Sequence, residues 1–352
     1  MTLVRLIEGY LIEGYREGNP IISQTLHSLG IWKGIQFTTQ PVKECDYLII
    51  LNCLERDVQV NCPRDHVWAI NQEPPIKCFD YFYKYAERYS RIYTPDVNNK
   101  GKKYIHSHGA IGWWIGKDYD FLTSTEIPTK NLTLSWLTNA DTFMEGQVNR
   151  LNFWNYIQSA NLDIDFFGKG FPAPVKPIDV KWDGVAPYKY TLAIENYSGL
   201  YYWSEKIADA FLGYTMPIYY GCTNITDYFP KESFVSIDIN QPEEAVEIIR
   251  ETINSDLWLR NRDAVIYARE LVLQKYNLFA FIAEAIIEDQ LKNESNIQVV
   301  KECIKLNRDQ PILYGEDVMK IVNLLLAISR KILPKSLRHW LWLKIGEKLF
   351  YS

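Results

Sequence analysis

Apolar and polar positions in the first third of the chain switch between two periods. The runs 4–7, 35–39, 47–52 and 66–70 are short, apolar and rich in β-branched or aromatic residues, which predicts strands. Between the first two, 19–29 spaces its apolar residues helically and predicts a helix. The polar stretch 123–130 (TSTEIPTK) reads as a linker, after which the alternation resumes with a strand at 131–138, a helix at 147–159 and a strand at 164–168. The expected fold class is therefore α/β, with domains at 1–125 and 126–290 and a helical, basic tail over 291–352.

The densest pattern spans 188–238. Residues 188–194 predict a buried strand, and Glu195 and Asn196 end it where a parallel sheet delivers side chains to a ligand. A loop at 197–203 leads to Ser204, a good N-cap, followed by Glu205 and Lys206 in the first turn and by Ile207, Ala210 and Phe211 at helical spacing. Gly213 stops this helix, 216–220 supplies a second strand and Gly221 turns the chain, so the stretch is one βαβ unit. A helix start offers unpaired N–H groups and partial positive charge, which with Lys206 suits a phosphate, while Glu205 suits hydroxyl groups such as those of a ribose. A sugar nucleotide has both. Further helices are predicted at 243–250 and 255–276, continuing through 277–297.

Composition narrows the class. The 352 residues are 47% apolar and 23% charged, which is globular. Twenty-four tyrosines and eleven tryptophans suit clefts that stack on sugar rings, although any one ring serves packing equally well. A net charge of −5 argues against a nucleic-acid partner. Cys45, Cys53, Cys62, Cys78, Cys222 and Cys303 form neither a zinc pattern nor a disulfide framework, which with the acidic residues of the amino terminus suggests a cytoplasmic protein.

Three other places could carry chemistry. Glu73 lies at the end of the 66–70 strand on a loop stiffened by Pro74 and Pro75, a candidate general base. His106 and His108 lack a third metal ligand, and Asp163 and Asp165, inside a strand, are a poor cation site. The region from Tyr81 through Trp114 reads as an acceptor-side surface.

The ordered set Ile194-Glu195-Asn196, Ser204-Glu205-Lys206, Met216-Pro217-Ile218, Tyr220-Gly221 and Pro230 to Val235 resembles the carboxyl-terminal domain of glycosyltransferase family 10, the alpha-1,3/1,4-fucosyltransferases. Glu73-Pro74-Pro75, followed by Phe79-Asp80-Tyr81, resembles the family's amino-domain loop more loosely. The resemblance implies two Rossmann-like domains facing across a cleft, the GT-B arrangement, and inverting transfer of L-fucose from a GDP-sugar to a glycan or glycolipid hydroxyl without a metal. Carried over residue by residue, it makes Glu73 the base. It sets Arg150 and Lys206 on the diphosphate, has Asn196 and Tyr202 touch the donor, and directs Glu205 to ribose or fucose hydroxyls. Tyr197 and Trp203 are larger than the family's usual residues, which leaves a different sugar nucleotide, or a carbohydrate-binding protein without turnover, as alternatives.

The tail adds a partner. From Lys320 to Ser352 seven cationic side chains face Glu347 alone, and 336–350 sets Leu337, Trp340, Leu341, Ile345 and Leu349 among them, with Pro334 as a hinge after 318–333. At about 1 kcal/mol per basic residue near anionic lipid, 318–350 is expected to dock on a membrane surface, packing back onto the first domain being the alternative. The full chain should co-sediment with anionic vesicles at low salt, and truncation after Leu333 should weaken this. Equal binding by both would remove the expectation.

Overall fold

A computed structural model describes residues 1–9, 21–110, 112–142, 144–171, 175–292 and 300–309, so the proposed membrane segment 318–350 lies outside the described residues. Among those described, no helix is long and apolar enough to cross a membrane. Seven strands form the first sheet in the order Ile31–Trp32, Ile35–Thr38, Thr2–Glu8, Tyr47–Leu51, Val67–Ile70, Arg91–Thr94 and Tyr104–His106. All neighbours pair in parallel except the first two. Tyr47–Leu51, apolar at every position, sits in the middle and is buried on both faces.

The second sheet is wholly parallel, in the order Asp165–Lys169, Leu132–Asn139, Tyr188–Gly199, Met216–Cys222 and Val235–Ser236. Its helices Glu145–Ser159 and Glu205–Leu212 cover it with Phe153, Trp154, Ile207 and Phe211, which pack on Trp136, Leu192 and Ile218. The molecule is thus α/β with two Rossmann-like sheets, the GT-B arrangement expected. Lys130 anchors the linker by donating to the carbonyls of Ala186 (2.7 Å) and Gly213 (2.6 Å) and to Thr215 Oγ1 (2.8 Å).

Several elements differ from expectation. Of the expected helix 19–29, the described residues 21–29 are helical only at Ile21–Gln24 and Leu26–Ser28, each a short 3-10 turn, because the Thr25 hydroxyl accepts the Gly30 N–H and His27 and Ser28 take positive φ. Trp113, Ile115 and Leu122, placed by the sequence in the first domain, pack into the core of the second. Residues Glu302–Leu306 of the supposed helical tail form a strand antiparallel to Val58–Cys62, since an edge strand with alternating buried positions accepts a partner.

The largest difference is the helix Leu278–Lys292, which the expected boundary 126–290 places almost wholly with the second domain. It crosses back, laying Leu278, Phe279, Ile282, Ala283 and Ile286 on Val4, Leu6, Phe37, Tyr47 and Trp68 of the first sheet. A parallel sheet needs both faces covered, and this helix supplies part of that cover for the first sheet. Phe279, fully buried and edge-on to Phe37 at 5.1 Å, is its anchor. Phe279→Ala should cost about 3–5 kcal/mol in denaturant unfolding. A cost below about 1 kcal/mol would show that the helix does not hold the first sheet together.

Candidate active site

The site begins where the Tyr188–Gly199 strand leaves regular pairing. Register with Met216–Cys222 is kept to Ile194 and resumes only at Gly199, so the strand runs past the expected end through an irregular stretch that reorients 195–198. Glu195 turns inward and is fully buried (0% exposed). Its carboxylate accepts the Ser204 N–H (2.8 Å), the Ser204 hydroxyl (2.7 Å) and Lys206 Nζ (3.2 Å). Gly221 makes room: a Cβ there would sit 2.4 Å from Glu195 Cγ. Glu195 therefore locks the helix start to the strand end, where the sequence reading had it facing a ligand.

Ser204 caps Glu205–Leu212 as expected, its hydroxyl oxygen accepting the Lys206 N–H at 3.3 Å. Burial opposes the Lys206 charge, but Glu195 and Glu205 outweigh it and raise its pKa. Glu205 responds in kind. Burial would raise it, yet Lys206 and Lys181 pull it down to about 2, so both groups are ionised.

Arg150 reaches the same place from the helix Glu145–Ser159. That helix lies directly on the strand end, because a Cβ at Gly146 would meet the Asn196 carbonyl oxygen at 1.6 Å. The buried guanidinium donates to the amide oxygens of Asn139 (2.8 Å) and Asn196 (2.5 Å). Among the described residues no carboxylate forms an ion pair with it. Neutral oxygens orient the cation, and Glu195, Asp141 and Glu205 favour its charge without bonding to it, so the guanidinium can still take an anion directly.

Glu73 arrives from the other sheet. It follows Val67–Ile70 on a loop in which Asn71 and Gln72 are buried, with the Asn71 N–H on the Tyr93 carbonyl (2.9 Å) and the Gln72 N–H on Asn52 Oδ1 (2.7 Å). Burial pushes Glu73 up to about 7, with Lys206 pulling it down and Glu205 pushing it up, so it shares the field of the charges at the start of the Glu205–Leu212 helix. Tyr202, buried between them, has its hydroxyl pKa raised by burial and by Glu195, Glu73 and Glu205. All six proposed residues, Glu73, Arg150, Asn196, Tyr202, Glu205 and Lys206, thus converge on one cleft.

Two charged residues of the cleft escaped the sequence reading. Lys181 approaches Glu205 (4.0 Å) and pairs with Asp209 (3.1 Å), whose other oxygen accepts the Trp114 N–H (2.9 Å). Burial pushes Asp209 up to about 6 despite Lys181. Lys181 comes from a 3-10 turn with no motif, and only its position across from the helix reveals it. The supposed acceptor surface also changes. Trp113 and His108 are buried, and His106 Nε2–H donates to the Asn99 carbonyl (3.0 Å). Asp165 is taken by Lys176 (2.7 Å) and the Tyr188 hydroxyl (2.9 Å).

Residues 127–257 match the family model described as glycosyltransferase family 10 (fucosyltransferase), C-terminal. The alpha-(1,3)-fucosyltransferase FucT of Helicobacter pylori is 37% identical over 67 residues, 19% of this chain and 14% of that protein. The mouse (Mus musculus) 4-galactosyl-N-acetylglucosaminide 3-alpha-L-fucosyltransferase 9 is 26% identical over 151 residues, 40% of this chain and 41% of its own length. The match therefore spans less than half of either curated relative. A crystal structure of an alpha1,3-fucosyltransferase aligns at 14% identity with a TM-score of 0.48, covering 89% of this chain and 93% of that one.

The Arg150 charge, bonded to no carboxylate among the described residues, makes a direct prediction. Inorganic diphosphate should raise the melting temperature of the protein by several degrees, as any ligand selective for the native state does, and should fail to do so for Arg150→Met. Equal shifts for both proteins would place the anion elsewhere.

Proposed function

We propose that the protein, whose residues 127–257 match the family model described as glycosyltransferase family 10 (fucosyltransferase), C-terminal, is an inverting glycosyltransferase that moves L-fucose from GDP-fucose to a hydroxyl of a glycan or glycolipid acceptor. One observation carries this reading: a buried cation hydrogen-bonded to neutral oxygens, Arg150, and a carboxylate raised to about 7 on a loop of the other sheet, Glu73, both act on the Lys206–Glu205 pair. An anionic leaving group and a proton acceptor are what a single displacement needs on opposite sides of the reacting carbon. The fucosyl relatives supply the sugar and the family resemblance the guanine nucleotide.

In this mechanism the acceptor oxygen attacks the anomeric carbon while Glu73 takes its proton. The bond from that carbon to the β-phosphate oxygen breaks, and its electron pair leaves with GDP. Arg150 and Lys206 meet the charge as it develops, at a place already fixed by Asn139, Asn196 and Glu195, so little reorganisation is needed. These cations supply the charge stabilisation, so the reaction is proposed to need no metal. Asn196 and Tyr202 line the donor, and Glu205, ionised at neutral pH, accepts hydrogen bonds from its hydroxyls.

Glu73 sets the pH dependence. As a free-enzyme base, it should give kcat/KM an acid limb centred near pH 7, with activity rising as the carboxyl ionises. Stability runs the opposite way. The folded protein holds this proton more tightly than the unfolded chain, so the contribution is full below the ordinary carboxylate range and is lost as pH rises through about 7. Glu73→Gln should therefore lower turnover by about a hundredfold or more, leave GDP affinity nearly unchanged and make the protein more stable than the parent above pH 7. Retained turnover would move the base elsewhere. In the same assays GDP should stabilise the protein more than UDP, and EDTA should leave transfer intact; equal stabilisation by UDP, or complete loss in EDTA, would overturn the donor assignment.

A further inference from the structure

A continuous run of contacts crosses from the Glu73 loop to the helix that holds Lys206. Resting on the reading above, we propose that His108, stacked on Trp203, is a positioning residue that sets the base loop 71–76 against the Ser204–Lys206 helix start.

The run begins beside Glu73. The Gln72 side-chain amide donates to the carbonyls of Gly109 (3.0 Å) and Ala110 (3.3 Å), and Gly109 lies so close that a Cβ there would be 2.8 Å from Gln72 Cα. Those carbonyls point at Gln72 because Ala110 takes φ +46°, a region that alanine avoids. What holds Ala110 there is its own N–H, which donates to His108 Nδ1 at 3.1 Å. The bond requires Nδ1 to be a free acceptor. Burial, with Lys275 adding to it, pushes His108 down to about 3, so the ring is neutral and the lone pair is available.

The flat face of the imidazole completes the crossing. It stacks on Trp203 of the second domain, centroids 4.7 Å apart and planes 18° from parallel, and is edged by Tyr228 and Tyr276 at 5.4 Å and Phe281 at 5.0 Å. The buried indole N–H of Trp203 has no acceptor among the described residues, so the ring is held by stacking and packing. Trp203 immediately precedes Ser204, the cap bonded to Glu195 and Lys206. A valine or isoleucine at 203 would give the imidazole no face to lie on. His108 thus touches neither the proposed donor groups nor the base, and acts through Ala110 and Gln72 on one side and through Trp203 on the other.

Two variants separate its two contacts. His108→Phe keeps a ring against Trp203 and deletes Nδ1, so amide exchange in 71–76 of the ligand-free protein should accelerate about tenfold or more while the rest of the chain stays protected. Its kcat should fall at least about tenfold, with the dissociation constant for GDP within about twofold of the parent. His108→Asn sets an amide oxygen near the Nδ1 position and deletes the ring. It should keep 71–76 protected and still lose turnover. Unchanged exchange in His108→Phe, exchange that rises evenly along the chain, or full turnover in His108→Asn would each overturn the positioning role. A parent protein that neither binds GDP nor transfers would instead refute the functional reading, and the exchange comparison would still decide the contact path.

Discussion

A carboxylate with no exposure to water is an expensive thing to keep, costing several kcal/mol unless partners replace its hydration, and Glu195 is such a group. Its partners are the N–H and hydroxyl of Ser204 and the ammonium of Lys206, all at the start of one helix. The carboxylate is satisfied only when that helix start lies over the irregular end of the Tyr188–Gly199 strand. The rest of the cleft is arranged around this condition: Gly221 and Gly146 carry no side chain because Glu195 and the Asn196 carbonyl occupy the space.

The two cations gathered there are held in different ways. Lys206 is balanced by Glu195 and Glu205 before any ligand arrives, which keeps it charged and aimed. Arg150 is hydrogen-bonded only to amide oxygens among the described residues, with Glu195, Asp141 and Glu205 favouring its charge without bonding to it, so it remains able to pair with an anion. Glu73 bears the opposite strain, since the burial that brings it into the cleft also resists its ionisation. Native proteins accept local instability of this kind where function needs it.

The two sheets are joined by more than a linker. Trp113, Ile115 and Leu122 enter the second core, the Trp114 N–H donates to Asp209 on the Glu205–Leu212 helix, and Arg269 donates to the carbonyls of Leu122 and Leu212. In return, Leu278–Lys292 covers the first sheet. Each domain therefore borrows part of its core from chain that flanks the other, and the carboxyl ends of both sets of strands meet at the cleft.

Local chemistry made much of this legible in advance. The apolar runs at 47–52, 131–138 and 216–220, the Ser204 cap, the Glu205-Lys206 helix start and Arg150 near its helix start are determined by neighbours within a few residues, and the structure keeps them close to where the residues predicted. Even Val58–Cys62, not foreseen, alternates buried and exposed positions in a way the sequence carries. Tertiary structure alone decided which carboxylate is buried and which faces the cleft, since Glu195 and Glu205 look alike as letters and differ by the direction of an irregular strand. It also decided that His108 is a packed ring, that Lys181 joins the cleft, and that Leu278–Lys292 belongs to the first sheet. Each of these depends on contacts between residues far apart in the chain, where burial and the sum of surrounding charges act, and no local spacing encodes them.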